Sequence, residues 1–169
     1  MAKTSVESRI RDARISDARD IHRLVRMWAD KGNMLQRPLV EIYESIRDFI
    51  VCETNGRVVG VAALHVVWEN IAELRSLVVD KEYESKGIGR RLVEKAVEEA
   101  VGLGVEELFV LTYIPEFFTK LGFSVIDKQT LPHKIWTDCV KCHKFPDCDE
   151  TAASIMLNPL HGQATAAEP

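Results

Sequence analysis

The segment that decides the fold is LVVDKEYESKGIGRR, residues 77–91. Its apolar start ends a predicted strand, and Gly87 and Gly89 open a predicted helix with one apolar face. Glycines let successive backbone N–H groups converge, and a helix N-terminus adds the positive end of its dipole. Positive charge comes from Lys86, Arg90 and Arg91. The segment therefore predicts a pyrophosphate site made by the backbone; the alternative is two glycines that only cap a surface helix.

The spacing of this loop excludes two common nucleotide-binding motifs. Arg90, Arg91 and Leu92 follow Gly89, so the loop is too short for the G-x-G-x-x-G fingerprint of dinucleotide-binding folds. It also lacks the Gly-Lys-Ser/Thr sequence of a P-loop. The loop therefore fits neither of these two nucleotide-binding folds.

The elements around the loop predict an α+β fold with a mixed sheet. Asn55 and Gly56 separate two apolar runs and indicate a hairpin. Strands are predicted over residues 9–14, 49–53, 57–67, 71–79, 107–112, 122–126 and 152–157. Helices are predicted to follow Asp17, to run over residues 38–46, 87–101 and 115–121, and to end at glycines such as Gly32.

Composition predicts one domain over residues 1–157 and a disordered tail over residues 158–169. A net charge of −4 and a pI near 5.8 argue against a nucleic-acid partner. The sequence has no signal-peptide pattern at its start and no apolar run of roughly 20 residues, the length that spans a bilayer. We therefore expect a cytoplasmic protein with no membrane partner, whose assembly as a homo-oligomer is left open.

Residues 84–89 resemble the coenzyme A loop of the GNAT acetyltransferases, Arg/Gln-x-x-Gly-x-Gly/Ala after an apolar strand, with Glu84 as the departure. Residues 117–123, FFTKLGF, resemble the family's Leu-Tyr-Glu-Lys-Leu-Gly-Phe segment. The resemblance implies acetyl-CoA as co-substrate and a mixed, mostly antiparallel sheet of about six or seven strands flanked by helices. The coenzyme contacts that it implies are Leu77, Val78, Val79, Ser85, Lys86, Gly87, Ile88, Gly89, Arg90 and Arg91.

The whole chain resembles the acetyltransferase domain of N-acetylglutamate synthases. The shared stretches are residues 10–14, 31–37, 62–64, 108–112 and 131–132, with Asp17 and Glu73. This resemblance implies L-glutamate as acceptor, in the first step of arginine biosynthesis, and a stand-alone form without the family's amino-acid-kinase-like domain. The alternatives are another small amine or a protein N-terminus as acceptor, or a non-catalytic module that senses acyl-CoA.

Three residues are predicted to carry the chemistry. Strand alternation places Glu73, Arg75, Leu77 and Val79 on one face, which makes Glu73 the candidate base; the alternative is a salt-bridge ladder on an edge strand. The resemblance implies that the N–H of Leu77 or its neighbour polarises the thioester carbonyl. Many family members have a tyrosine acid where this chain has Phe118, so Thr112 or Tyr113 is considered instead; a strand threonine is otherwise a β-branched filler.

A dicarboxylate acceptor needs at least two cations, with arginine preferred for bidentate pairing. The resemblance assigns Arg37 to one substrate carboxylate. A solvated arginine beside a helix start is the alternative. The second cation is left unranked among Arg75, Lys134, Lys141 and Lys144.

The segment around residues 139–148 has enough ligands for a Cys3His zinc site: Cys139, Cys142, His143 and Cys148. The alternatives are reduced thiols that pack as small hydrophobes, or a redox-sensitive pair that lowers activity when oxidised. We interpret Cys52, His22 and His65 as structural residues.

Overall fold

The computed structural model describes residues 7–132, 139–142 and 144–157. Its strands are β1 (Ser8–Asp12), β2 (Phe49–Thr54), β3 (Arg57–Val66), β4 (Ile71–Val79), β5 (Glu107–Thr112), β6 (Ser124–Ile126) and β7 (Thr151–Met156). Its helices are α1 (Ala18–Ala29), α2 (Leu39–Glu44), α3 (Ile88–Leu103) and α4 (Pro115–Thr119). The predicted tail, Lys134 and His143 lie outside the described residues.

The strands form one seven-stranded sheet in the order β1-β2-β3-β4-β5-β7-β6. Every neighbouring pair is antiparallel except β4 and β5, which are parallel. At the β2–β3 turn Asn55 and Gly56 both have positive φ, 51° and 75°, as a tight hairpin requires. The predicted mixed, mostly antiparallel sheet is confirmed.

Helices cover both faces of the sheet. On one face α3 buries its apolar side, which includes Leu92 and Ala96, against β2, β3 and β4. On the other face α1 buries Ile21 and Leu24 under the same strands. A Cβ at Gly60 would lie 2.9 Å from the Cγ2 atom of Ile88, so only glycine lets α3 approach β3 this closely. No helix among the described residues is long and apolar enough to cross a membrane.

A bulge in β4 changes which side chains share a face. Val61 pairs with Val78 whereas Ala63 pairs with Arg75, so β4 carries one extra residue there, and Ser76 has a φ of 55°. Beyond the bulge Leu77 packs on the α3 side with Leu74, while Val78 packs on the α1 side. The predicted common face of Glu73, Arg75, Leu77 and Val79 is therefore wrong. Glu73 and Arg75 lie on the α1 side, and Leu77 and Val79 lie on the α3 side.

The sheet opens between β4 and β5. The ladder between these strands has three residue pairs and ends at Glu73 and Phe109. Both strands continue, to Val79 and Thr112 respectively. Their C-terminal halves therefore diverge and leave an opening in the middle of the sheet, with backbone N–H and C=O groups of β4 along its edge.

Candidate active site

A cleft of about 840 Å³ fills the opening between β4 and β5. The loop before α3 forms one end, and residues 32–35 with Arg37 form part of the other. A third wall is the cysteine segment, which we define as residues 139–142 and 144–150. The candidate site residues named from the sequence that line the cleft are Arg37, Glu73, Arg75, Leu77, Val78, Val79, Ser85, Gly87, Ile88, Gly89, Arg90, Thr112, Tyr113, Cys139, Cys142, Lys144 and Cys148.

The loop before α3 has the backbone geometry of an anion site. Ser85 and Gly87 both have positive φ, 59° and 76°, and they alternate with ordinary conformations, which turns successive N–H groups toward one point. The 16-residue helix α3 begins immediately after Gly87 and aims its N-terminal dipole at the same point. Glu84 also lines this end of the cleft and brings a carboxylate toward the anion site.

Two cations predicted for the coenzyme lie elsewhere. Arg91 is turned toward β1, where its guanidinium donates hydrogen bonds to Ser8 Oγ at 2.5 Å and to the Ser8 carbonyl at 2.9 Å. The Lys86 ammonium lies 4.8 Å from the centre of the Tyr83 ring and donates to the Glu82 carbonyl at 3.1 Å. Each helical residue rotates the side-chain direction by about 100°, so Arg90 faces the cleft and Arg91 faces away from it.

The opposite end of the cleft is lined by a carboxylate and two arginines. Glu73 and Arg75 enter it from the α1 side of β4. Arg37 comes from the loop before α2, where its side chain is only 12% exposed and its Nη1 lies 3.9 Å from Glu41 Oε2. Arg37 is thus a largely buried arginine that lines the cleft, and the planar guanidinium group is suited to pairing with a carboxylate.

The end of β5 forms another part of the cleft, where the resemblance predicts the thioester. Thr112 is 7% exposed and lies on the α3 side of β5 with Leu108 and Val110, so it faces the cleft from the side opposite to Glu73. Its Oγ1 accepts a hydrogen bond from the Ile114 N–H at 3.0 Å, which fixes the hydroxyl. Phe118 is buried core, with its ring 5.0 Å from that of Phe117 in an edge-to-face contact.

The cysteine segment lines the cleft near Glu73. Burial raises the pKa of the Cys139 thiol to about 11, and the negative charge of Glu73 acts in the same direction, which places this thiol near the candidate base. Among the described residues no group of three or more His, Cys, Asp or Glu side chains could hold a metal ion. The predicted zinc site is therefore unsupported, and its fourth ligand, His143, lies outside the described residues.

Asp149, which the sequence did not single out, joins Tyr113 and Lys144 in holding this segment in place. Tyr113 donates a hydrogen bond to Asp149 Oδ1 at 2.7 Å, and Lys144 bonds the same Tyr113 hydroxyl while its ammonium lies 4.3 Å from the ring centre. The cleft is also lined by Trp28 and Phe117, which the apolar pattern assigned to helices only. Periodicity identifies a helix face, but it does not show which residues at the end of that face reach a cleft.

The comparisons with known proteins agree with this geometry. The model of the acetyltransferase (GNAT) family matches residues 14–123. An uncharacterized N-acetyltransferase of Chlorobaculum tepidum is 45% identical over 143 residues, which cover 85% of this chain and 92% of the relative. An amino-acid acetyltransferase of Mycobacterium tuberculosis is 34% identical over 157 residues, which cover 88% and 90%.

A solved structure has the same fold. The N-acetylglutamate synthase of Neisseria gonorrhoeae, complexed with coenzyme A and N-acetyl-glutamate, superposes with a TM-score of 0.82 at 25% identity. The superposition covers 92% of this chain and 36% of the synthase chain, so this chain spans about a third of that protein. With the family model matched across most of its length and with a diverging β4–β5 pair beside a glycine loop, this chain belongs to the acetyltransferase (GNAT) family.

Proposed function

We propose that this acetyltransferase transfers the acetyl group of acetyl-CoA to the α-amino group of L-glutamate. The observation that carries the proposal is that the two ends of one cleft differ in chemistry. One end offers a backbone anion site, and the other offers a carboxylate and two arginines. The first end suits a coenzyme pyrophosphate, and the second suits an amino acid that brings both an ammonium group and carboxylates.

The coenzyme is proposed to lie along β4. Its pyrophosphate occupies the loop from Ser85 to Gly89, where the backbone N–H groups converge. Its pantetheine arm follows the edge of β4 between Leu74 and Val79 and pairs with the backbone there as an added strand. The thioester then reaches the point where β4 and β5 diverge, close to Leu77 and Thr112.

The transfer proceeds in a ternary complex without an acyl-enzyme. Glu73 takes a proton from the acceptor ammonium, directly or through water, and the neutral amine attacks the thioester carbonyl. The Leu77 N–H, or that of its neighbour, stabilises the oxyanion. The C–N bond forms and the C–S bond breaks. The Thr112 hydroxyl gives its proton to the departing thiolate and takes up the second proton that leaves the attacking nitrogen. The base and the acid approach the reaction centre from opposite sides of the opened sheet.

The acceptor carboxylates are assigned to the cations at the far end of the cleft. Arg37 receives one of them by exchanging its 3.9 Å contact with Glu41 for a bidentate pair. Of the described candidates for the second carboxylate, Arg75 and Lys144 line the cleft. The predicted contribution of Lys134 stays a prediction. The names of the tuberculosis and gonococcal relatives support an amino acid as the acceptor and glutamate in particular, which would make this the first reaction of arginine biosynthesis.

The experiment that tests this function is a thiol-release assay with acetyl-CoA and a panel of amines. The panel contains L-glutamate, L-glutamine, L-aspartate, a polyamine and a peptide with a free N-terminus. We expect turnover that is selective for L-glutamate, with L-aspartate weaker because its shorter side chain cannot span both cations. Selective turnover of another amine would replace glutamate as the acceptor. Coenzyme binding without turnover of any amine would favour a non-catalytic acyl-CoA sensor.

A further inference from the structure

A histidine–aspartate pair lies directly beside the candidate base and outside the cleft. We propose that His65, held by Asp48, relays the proton that Glu73 collects in each turnover to solvent, a role that rests on the proposed function. The sequence showed no partner for His65. In the structure its Nδ1 lies 2.9 Å from Asp48 Oδ2, so its interpretation as a merely structural residue is revised.

The sheet register brings the imidazole to the base. His65 on β3 is the cross-strand partner of Glu73 on β4 in an antiparallel pair. Side chains at such positions project from the same face with Cβ atoms about 4.5–5.5 Å apart, which is within reach of a direct or water-mediated contact. Glu73 lines the cleft, whereas His65 is not among the lining residues and its side chain is 38% exposed. The pair therefore connects the interior of the cleft with bulk solvent.

The aspartate sets the tautomer that a relay needs. When His65 Nδ1–H donates to the Asp48 carboxylate, Nε2 carries the lone pair and is the ring atom that can accept a proton. Asp48 also stabilises the imidazolium that forms. The charged groups that face this ring are Asp48 from the turn before β2 and Glu73 from β4, with Arg75 one step away on the diagonal.

The proposed reaction requires a path for protons from Glu73 to solvent. Each turnover leaves a proton on Glu73 while the coenzyme, the acceptor and the cysteine segment cover that end of the cleft. In the relay, the Glu73 O–H bond breaks and an N–H bond forms at His65 Nε2. The imidazolium then gives this proton to a solvent base, and Glu73 is again a carboxylate. Imidazole suits the task because its ordinary pKa lies near neutrality.

The test compares His65→Gln with His22→Gln in the full chain, at low buffer concentration, with saturating acetyl-CoA and acceptor. His22 is a partly buried histidine on α1 that lies outside the cleft. We expect His65→Gln to lower kcat by about 10- to 100-fold with both KM values unchanged, and His22→Gln to change neither. Asp48→Asn should lower kcat less, because the tautomer is then held less firmly.

Added imidazole separates a relay from a structural role. The exposed position of His65 gives free imidazole access, so kcat of His65→Gln should rise with imidazole concentration while the unsubstituted enzyme stays constant. A loss of kcat without imidazole rescue, or an unchanged kcat in His65→Gln, would overturn the relay. Glu73→Gln run in the same assay isolates the proposed function. Full activity of Glu73→Gln, or no turnover of any amine, overturns that function and the relay together, whereas a defect in Glu73→Gln alone overturns only the relay.

Discussion

The coenzyme end of the cleft is contiguous in the sequence, whereas the acceptor end is assembled from distant parts of the chain. Residues 77–91 supply the strand edge, the positive-φ turn and the helix N-terminus of the coenzyme end. The acceptor end combines Arg37, the first half of β4 and the cysteine segment. The first end depends on backbone geometry and the second on side-chain charge. A substitution that changes only one of these properties should therefore change the KM of the substrate proposed for one end and leave the other KM unchanged.

The largest expected effect is at the base. Glu73→Gln keeps the shape of the side chain and removes its ability to accept a proton, so kcat should fall by about 10²- to 10⁴-fold with the acetyl-CoA KM unchanged. Steady-state thiol release measures both parameters. Glu69→Gln in the exposed β3–β4 turn is the matched control and should have no effect. A similar kcat in both variants would remove Glu73 from the mechanism.

The next effect is on the acceptor alone. Arg37→Ala removes a charged hydrogen-bond donor worth about 1.5–3 kcal/mol, which corresponds to an acceptor KM raised by about 10- to 100-fold. The acetyl-CoA KM should not move, because the two ends of the cleft are built from separate segments. Arg26→Ala, an exposed arginine of α1 paired with Asp30, is the control. An unchanged acceptor KM would place the carboxylate elsewhere.

The coenzyme end should respond to backbone strain instead. Gly87 has a φ of 76°, and a side chain in this region costs about 1–2 kcal/mol although no atom lies within 4 Å of its Cβ position. Gly87→Ala should therefore raise the acetyl-CoA KM by about 5- to 30-fold and leave the acceptor KM unchanged. Gly102→Ala within α3 is equally free of contacts and has an ordinary φ. Equal coenzyme KM values for both variants would show that the turn does not hold the phosphates.

The smallest expected effect concerns the negative charge of Glu84 at the coenzyme end of the cleft. Glu84 lines the coenzyme end and opposes a bound pyrophosphate, so Glu84→Gln should lower the acetyl-CoA KM by about 2- to 5-fold, and added salt should reduce the difference. Glu82 is an exposed neighbour on the same loop. Glu82→Gln tests whether proximity to the phosphates, rather than net charge, causes the gain. An equal decrease of the acetyl-CoA KM in both variants would assign the effect to the net charge of the protein.

The difference between the two ends also explains what the sequence could predict. The coenzyme loop and most element bounds were predictable, because turns, caps and periodicity are local properties. The alternation from Glu73 to Val79 failed because a bulge at Ser76 follows from sheet register, which no single strand encodes. The contact of Arg91 with Ser8 joins residues 83 positions apart.

The cysteine segment shows most clearly what could not be predicted from the sequence. Its C-x-x-C spacing favoured a zinc site, but the described thiols instead line the cleft beside Glu73. Its fixation depends on Tyr113, Lys144 and Asp149, whose hydrogen bonds join two distant stretches of chain. Hydrogen-bond partners of this kind leave no periodic signal in the sequence. The position of the cysteine segment could therefore not be predicted from residue patterns alone.

The bulge at Ser76 has a consequence for how such an enzyme can evolve. Arg75 before it projects from the α1 side, whereas Leu77 and Val79 after it project toward the α3 side. Substitutions of Arg75 can therefore be selected for a new amine without disturbing the backbone that is proposed to hold the coenzyme. One extra residue in one strand allows donor recognition and acceptor recognition to change independently by mutation. A single fold can then acquire new acceptor substrates while it keeps one acyl donor.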